Sequence, residues 1–423
     1  MLVEFSVTNF KSIKSQQTFS MTKAKGDELE ESNSFQPTGL NRIGLLRSAA
    51  IYGANAAGKS NFVEAMRTMA HIIADSASEF QRGDKLPVDP FKLDPETKDS
   101  PTEFEVVFIS EGIRYQYGFA ATKERVIEEW LIAFPKGSSQ HWYGRLWDEK
   151  ANEYQWKMGK FLLGKKQLWK ESTRSNALFL STAVQLNNQQ LQPVYDWFND
   201  TLRTTTVTGW RPDFTADLCS SPQEKEKVLN LLKAADIDIQ DISVEKKLFD
   251  ENDLPDDMPS EIRSMVAKTM KGKTFPEINM IHQDSTGNLV PFDYDEESDG
   301  TRKLFSFAGP WLDTLKNGYV LFVDELHDNL HPRLVQFLVE LFHNNETNPN
   351  NAQLVFTTHE TTILNQEVFR RDQIWFCEKR DDHATTVYPL TDFSPRKKRE
   401  NLELSYLAGR YGGLPYVRKL KIA

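Results

Sequence analysis

The side chains able to do chemistry are concentrated in short segments, the first being Gly53-Ala54-Asn55-Ala56-Ala57-Gly58-Lys59-Ser60. The G-x-x-x-x-G-K-S spacing suits a loop whose backbone N–H groups wrap a triphosphate. Lys59 would supply a mobile point charge to the β and γ phosphates, and the Ser60 hydroxyl a hard oxygen ligand for Mg2+. Glycine is expected at 53 and 58 because side chains there would obstruct the phosphates. The binding set is therefore Gly53, Asn55, Ala56, Ala57, Gly58, Lys59, Ser60 and Asn61, with a nucleoside triphosphate and Mg2+ as the ligands.

Gly318-Tyr319-Val320-Leu321-Phe322-Val323-Asp324-Glu325 is an apolar run ending in two carboxylates. At the carboxyl end of a strand beside the loop, Asp324 can hold the metal through water and Glu325 can act as general base. Upstream lies Glu297-Ser298-Asp299-Gly300-Thr301-Arg302-Lys303, and downstream Leu354-Val355-Phe356-Thr357-Thr358-His359. Ser298-Asp299-Gly300 alone reads equally as a turn, and a lone His359 as a locally satisfied histidine. Their order along the chain is what makes them informative.

These residues need a scaffold. Ala49-Ala50-Ile51-Tyr52 reads as a buried parallel strand entering the loop, and Phe62, Ala65, Met66, Met69, Ile72 and Ile73 fall at helical spacing after it. Met1 to Met21 reads as two strands. Period-two alternation from Thr102 predicts a hairpin and then an antiparallel lobe over about 102–162, closed by Ala177 to Gln185. Helices are expected over Leu191 to Leu202 and from Ser221, a strand near Ile237 to Val244, and an acidic linker over Phe249 to Pro259 before a short helix. One more strand, Gln373 to Glu378, follows His359. The expected division is 1–200, 201–280 and 281–423.

Hydrophobic residues at 39% and charged residues at 26% are enough for packed soluble cores. No run approaches a membrane span, and MLVEFSVTNFK lacks the pattern of a signal peptide, so a cytoplasmic location is expected. Cys219 and Cys377 are too few for a disulfide framework and too far apart for a metal knuckle. With a net charge of −10, nucleic-acid binding would need a local basic patch; Arg396-Lys397-Lys398-Arg399 could meet DNA, RNA or an acidic partner surface, but reads more readily as a solvated face. A GTPase would need a guanine-reading N-K-x-D segment, which is absent.

The four segments together resemble the ATP-binding-cassette class of P-loop ATPases, within it the RecF, SMC and OLD-like branch, whose first strand Val7-Thr8-Asn9-Phe10-Lys11-Ser12-Ile13 resembles. A closer similarity is to prokaryotic stand-alone ATPases of the AAA fifteen family, found in phage-defence operons of the Abi-L or Rlo type. It is carried by Ile51 to Asn61, Pro90-Phe91-Lys92-Leu93, Phe179 to Leu186, Asp324 to Pro332 and Tyr406 to Pro415. The resemblance implies an α/β P-loop head of ABC type with an inserted antiparallel lobe and a helical subdomain. It also implies that Ser298 and Gly300 form the signature motif, Glu325 is the catalytic base, Asp328 to His331 is the D-loop, His359 is the switch histidine and Gln185 is the Q-loop metal contact. The signature reads ESDGT and the D-loop DNLHP, which argues against a transporter.

In that class the signature serine touches nucleotide held by another head. The resemblance therefore implies a homodimer, or a higher even oligomer, with ATP between protomers. The roughly sixty residues after His359 leave no room for a nuclease domain, so a separate effector protein encoded nearby is expected. DNA or RNA is a possible further partner, and no membrane is. Three functions compete: a defence ATPase controlling a nuclease or toxin, a RecF-like DNA-repair head, and a nucleotide-gated scaffold with negligible turnover.

Overall fold

In the computed structural model, residues 1–38, 43–205, 210–250, 254, 258–397 and 399–415 are described. They form two compact units. The first comprises Met1–Gly209, Leu315–His327 and Val335–Ala423, and the second Trp210–Thr314 and Asp328–Leu334. Ser298 and the expected D-loop segment share the second unit, a grouping the expected division at 280 does not make.

The period-two segments of the first unit form the expected lobe as an up-and-down meander: Thr102–Ser110, Ile113–Ala121, Val126–Phe134, Gln140–Asp148 and Glu153–Met158. The lobe is not separate from the N-terminus. Leu2–Thr8 pairs antiparallel with Thr102–Ser110, Phe5 opposite Val106, and Gln17–Ser20 closes the far edge, giving seven strands. Leu2, Phe5 and Val7 are fully buried, and Val3 packs with Leu45 and Ile109 in a second small cluster.

The second sheet carries the chemistry. Its order is Leu202–Thr204, Val320–Val323, Gln353–Thr358, Ser48–Gly53, Ile374–Lys379 and Thr385–Pro389, all parallel except the last. The strand entering the loop and the strand ending at Asp324 are thus not neighbours; the strand leading to His359 lies between them. Thr385–Pro389 is one strand more than expected, an antiparallel edge. The loop helix, Lys59–Asp75, buries Phe62, Met66, Met69 and Ile73, and Phe62 meets Phe5 and Phe19 edge-on at 5.3 and 5.8 Å. That contact ties the N-terminal strands to the helix behind the loop.

The expected Leu191 to Leu202 helix is shorter. Gln192–Asp196 is α-helical, Trp197–Thr201 widens to a π turn, and Leu202–Thr204 joins the parallel sheet. Ala177 to Gln185 is mainly helix, over Phe179–Gln185. Its start is held by the buried Glu129 carboxylate, which accepts from the Phe179 and Leu180 N–H groups (2.8 and 3.0 Å) and pairs with buried Arg145 at 2.9 Å.

The second unit holds the helices Asp213–Cys219, Pro222–Ala234 and Ser260–Met270 and, beyond the single strand expected, a three-stranded sheet of Asp241–Leu248, Thr274–Gln283 and Leu289–Asp293. The last strand is exposed at every position, so it lacks the alternation by which strands are recognised. Much of the expected linker, residues 251–253 and 255–257, lies outside the described residues. Among the described residues no helix is long and apolar enough to cross a membrane.

His343 lies beneath the loop strand, its Nε2 2.7 Å from the Ser48 hydroxyl. Burial, and then Arg47, pushes its pKa from 6.5 down to about 3. Between those values the unfolded chain binds a proton that the folded chain does not, so this contribution to stability is complete above 6.5 and lost as pH falls. Unfolding free energy should decline by up to about 1.4 kcal/mol per pH unit from this residue. Urea melts from pH 7 to 4.5 check this: His343→Gln should flatten the slope.

Candidate functional site

The sequence places the loop where a parallel strand must turn into a helix, and tertiary packing sets the shape of that turn. Gly58, at the helix N-terminus, has φ +105°, and a Cβ there would lie 2.1 Å from the Thr385 hydroxyl and 2.8 Å from the Ser12 hydroxyl. A Cβ on Gly53 would lie 2.3 Å from the Cys377 carbonyl. Both glycines are therefore demanded by the protein packed against the loop, a reason additional to the expected room for a triphosphate. Ser12 accepts from Asn61 Nδ2 (2.7 Å) and its hydroxyl meets that of Thr385 at 2.8 Å, while Thr385 donates to the Ala57 carbonyl (2.8 Å). Asn61 thus braces the loop from within its helix. Ala56 is held at φ 60°, and Asn55 and Ala56 are exposed at the crest.

No side chain caps the loop helix and its first turn carries no acid, an arrangement whose N–H groups favour an anion. Ser60 stands in that first turn, half-buried.

Lys59 is 5% exposed and folds back, donating to the Gly53 carbonyl (2.8 Å), the Ala54 carbonyl (3.0 Å) and His359 Nε2 (3.1 Å). Burial lowers its pKa, while Cys377, Glu325 and Asp324 pull the other way, so both carboxylates lie within electrostatic reach of the ammonium. His359 is pushed down to about 4, by burial first and then by Lys59 and His327, against a hydrogen bond to the Gly53 backbone. A neutral ring can accept from Lys59; a protonated one could not. The His327 ring meets His359 edge-on at 5.2 Å.

Asp324 is buried, and its Oδ1 accepts from Thr357 (2.6 Å) while its N–H reaches the Thr205 hydroxyl (3.3 Å). Thr357 also accepts the Glu325 N–H at 2.8 Å. Glu325 sits at φ 52°, a left-handed conformation uncommon for a residue with a side chain and typical of functional turns. Ser60 and Asp324 offer hard oxygens of the kind Mg2+ takes. Among the described residues no group of three or more His, Cys, Asp or Glu could hold an ion unaided, so remaining ligands would come from phosphate and water.

Gln185 is not brought to this cluster. Its helix docks through Ser181 on the Ile73 carbonyl (2.6 Å), near the far end of the loop helix and about 20 Å from Lys59 at the α-helical rise. Gln185 is one turn beyond Ser181 and exposed, too distant to reach a metal on Ser60. Ser12, Thr205, Thr357 and Thr385 escaped the sequence reading. Only Thr357, a polar residue inside an apolar strand, left a signal.

In the second unit Ser298 caps the Asp299–Asn317 helix, its hydroxyl accepting the Thr301 N–H at 3.1 Å. Gly300 faces the Asn329 carbonyl, 3.4 Å from where a Cβ would stand, and Lys303 pairs with Asp328 at 3.3 Å. The expected signature and D-loop segments thus pack together. Cys377 and Cys219 are buried, the Cys377 thiol pushed up to about 12 by burial, as expected of core residues. Lys397 of the basic cluster pairs with Asp27 and Glu28, so part of that cluster is spent on the chain itself; Lys398 lies outside the described residues.

Two outcomes follow from the loop geometry. Gly58→Ala should lower stability by about 2 kcal/mol or more without ligand, because strain and clash add; thermal melts of the ligand-free protein measure it. The His359 imidazole should titrate near 4 by NMR, well below the histidine norm of 6.5.

A family model described as "AAA domain, putative AbiEii toxin, Type IV TA system" matches residues 48–365. No curated protein matches the chain. Among solved structures, an SMC head bound to the C-terminal winged-helix domain of ScpA is similar over 92% of this chain and 96% of that one, at 13% identity and TM-score 0.38. The recombination mediator RecF with ATP is similar over 92% and 99%, at 12% identity and TM-score 0.36. The family model does not reach the narrower AAA fifteen group. It spans the loop, the signature segment, the two carboxylates and His359, and the chain belongs to this AAA domain family.

Proposed function

We propose that this chain is an ATPase whose copies pair around bound ATP and Mg2+ and so regulate a separate effector, a nuclease or toxin, in cytoplasmic anti-phage defence. The observation that carries the ATPase reading is the convergence on Lys59 of His359 and the Asp324–Glu325 pair at one end of a parallel sheet. Lys59 would leave the Gly53 and Ala54 carbonyls for the phosphates, and Ser60 and Asp324 would share the metal. Glu325 would take the proton of the attacking water, its backbone turn preset by Thr357. Ser298 and Gly300, packed with the D-loop segment in the second unit, would serve the nucleotide of a neighbouring copy, so that two ATP molecules are shared in a symmetric pair. The defence role rests on the resemblance to AAA fifteen phage-defence ATPases and on the matched family's description. A DNA-repair role draws little support from a basic cluster whose Lys397 is already paired.

Glu325→Gln should cut hydrolysis by about 10²- to 10⁴-fold, the usual worth of a general base. It should also accumulate a dimer with ATP. Mass photometry with and without ATP reads this, and a mass that ignores nucleotide refutes the pairing. A wild-type rate at background would instead favour the nucleotide-gated scaffold.

A further inference from the structure

Ser298 is asked to approach a triphosphate, yet it stands among carboxylates: Asp293, Asp295, Glu296, Glu297 and Asp299 surround it in sequence. An unmanaged cluster of this kind would repel the ligand. Most have partners. Arg302 binds Asp299 (2.5 Å) and Asp295 (3.5 Å), while Glu296 and Asp293 close a reciprocal capping box around the Tyr294–Glu296 turn. The residue immediately before Ser298 is held from elsewhere. His282 Nε2 donates to Glu297 Oε1 at 2.5 Å, with the Glu297 side chain only 9% exposed.

His282 belongs to the middle strand of the three-stranded sheet, Thr274–Gln283, and its ring meets Phe292 of the neighbouring strand edge-on at 4.9 Å. The strand, with partners on both sides, fixes the imidazole, and the imidazole fixes the Glu297 carboxylate. Consecutive Cα atoms are about 3.8 Å apart, so an anchored Glu297 leaves Ser298 little freedom beyond its own cap bond to Thr301. Tyr294, just upstream, bonds the Arg302 carbonyl (3.1 Å) and braces the same turn against the helix.

We propose that His282 is a positioning residue for the signature serine. By engaging Glu297 it sets the approach of Ser298 and keeps that carboxylate turned from the incoming triphosphate. This rests on the pairing read above, with Ser298 acting on a neighbouring copy's nucleotide. His282 touches no nucleotide itself, so its loss weakens pairing and spares ATP binding by the single chain.

The test uses the full chain carrying Glu325→Gln. Two quantities are measured for each variant: binding of a fluorescent ATP analogue by the dilute single chain, and the ATP concentration giving half-maximal pairing. His282→Leu and Glu297→Ala should each raise the pairing concentration by about tenfold, the scale of one charge-assisted hydrogen bond. The double variant should be no worse than either, and His282→Gln, which keeps an N–H donor, should stay within about threefold of the parent. Single-chain binding should not move. Should His282→Leu fail to fold, Glu297→Ala and His282→Gln carry the same contrast. Pairing unchanged by either loss, additive effects in the double variant, or an equal loss of single-chain binding overturns the proposal while leaving the pairing itself standing. Failure of the Glu325→Gln parent to pair sinks both.

Discussion

A buried ammonium needs partners for all its protons, and Lys59 finds them in two carbonyls of its own loop and one neutral histidine. Much of the first unit follows from that requirement. His359 must be unprotonated, so it is buried next to the cation that suppresses its charge. The strand delivering it must neighbour the loop strand, and register pairs Thr358 with Tyr52, the residues directly before His359 and Gly53. The carboxylate strand is thereby displaced one place outward, where Asp324 and Glu325 reach Lys59 electrostatically rather than as contact ion pairs.

The loop is shaped from below as well as from within. Cys377, Thr385 and Ser12 come from distant parts of the chain and leave no room for a side chain at Gly53 or Gly58. This explains why the antiparallel edge strand Thr385–Pro389 matters to a site it never enters: its first residue holds the Ala57 carbonyl. The N-terminal strands contribute similarly, through Ser12 at the loop and through Phe5 and Phe19 against Phe62 on the helix. Residues that orient the loop backbone are thus mostly drawn from outside the loop.

The second unit uses the same economy on another scale. Ser298 is a helix cap, Gly300 lies beside the Asn329 carbonyl, and Lys303 joins the pair through Asp328. A small sheet whose last strand is wholly exposed supports the turn ahead of the cap through His282 and Glu297. The segments expected to be signature and D-loop therefore form one body, although Asp324 and Glu325 lie between them in sequence, in the other unit.

The linear order of residues by itself determined the loop, its strand and helix, the carboxylate strand and the strand before His359, because each is a local pattern of period or spacing. It also made the antiparallel lobe visible through period-two burial. What it left undecided needs distance in sequence. Gln185 appeared eligible until its helix docked at the wrong end of Lys59–Asp75. Thr357, Thr385 and Ser12 look ordinary until register and packing bring them to Asp324 and the loop. Leu289–Asp293 is a strand through its ladder partner rather than its own alternation. A hydrogen bond across hundreds of residues has no periodicity to announce it, and only the folded chain decides which polar groups meet.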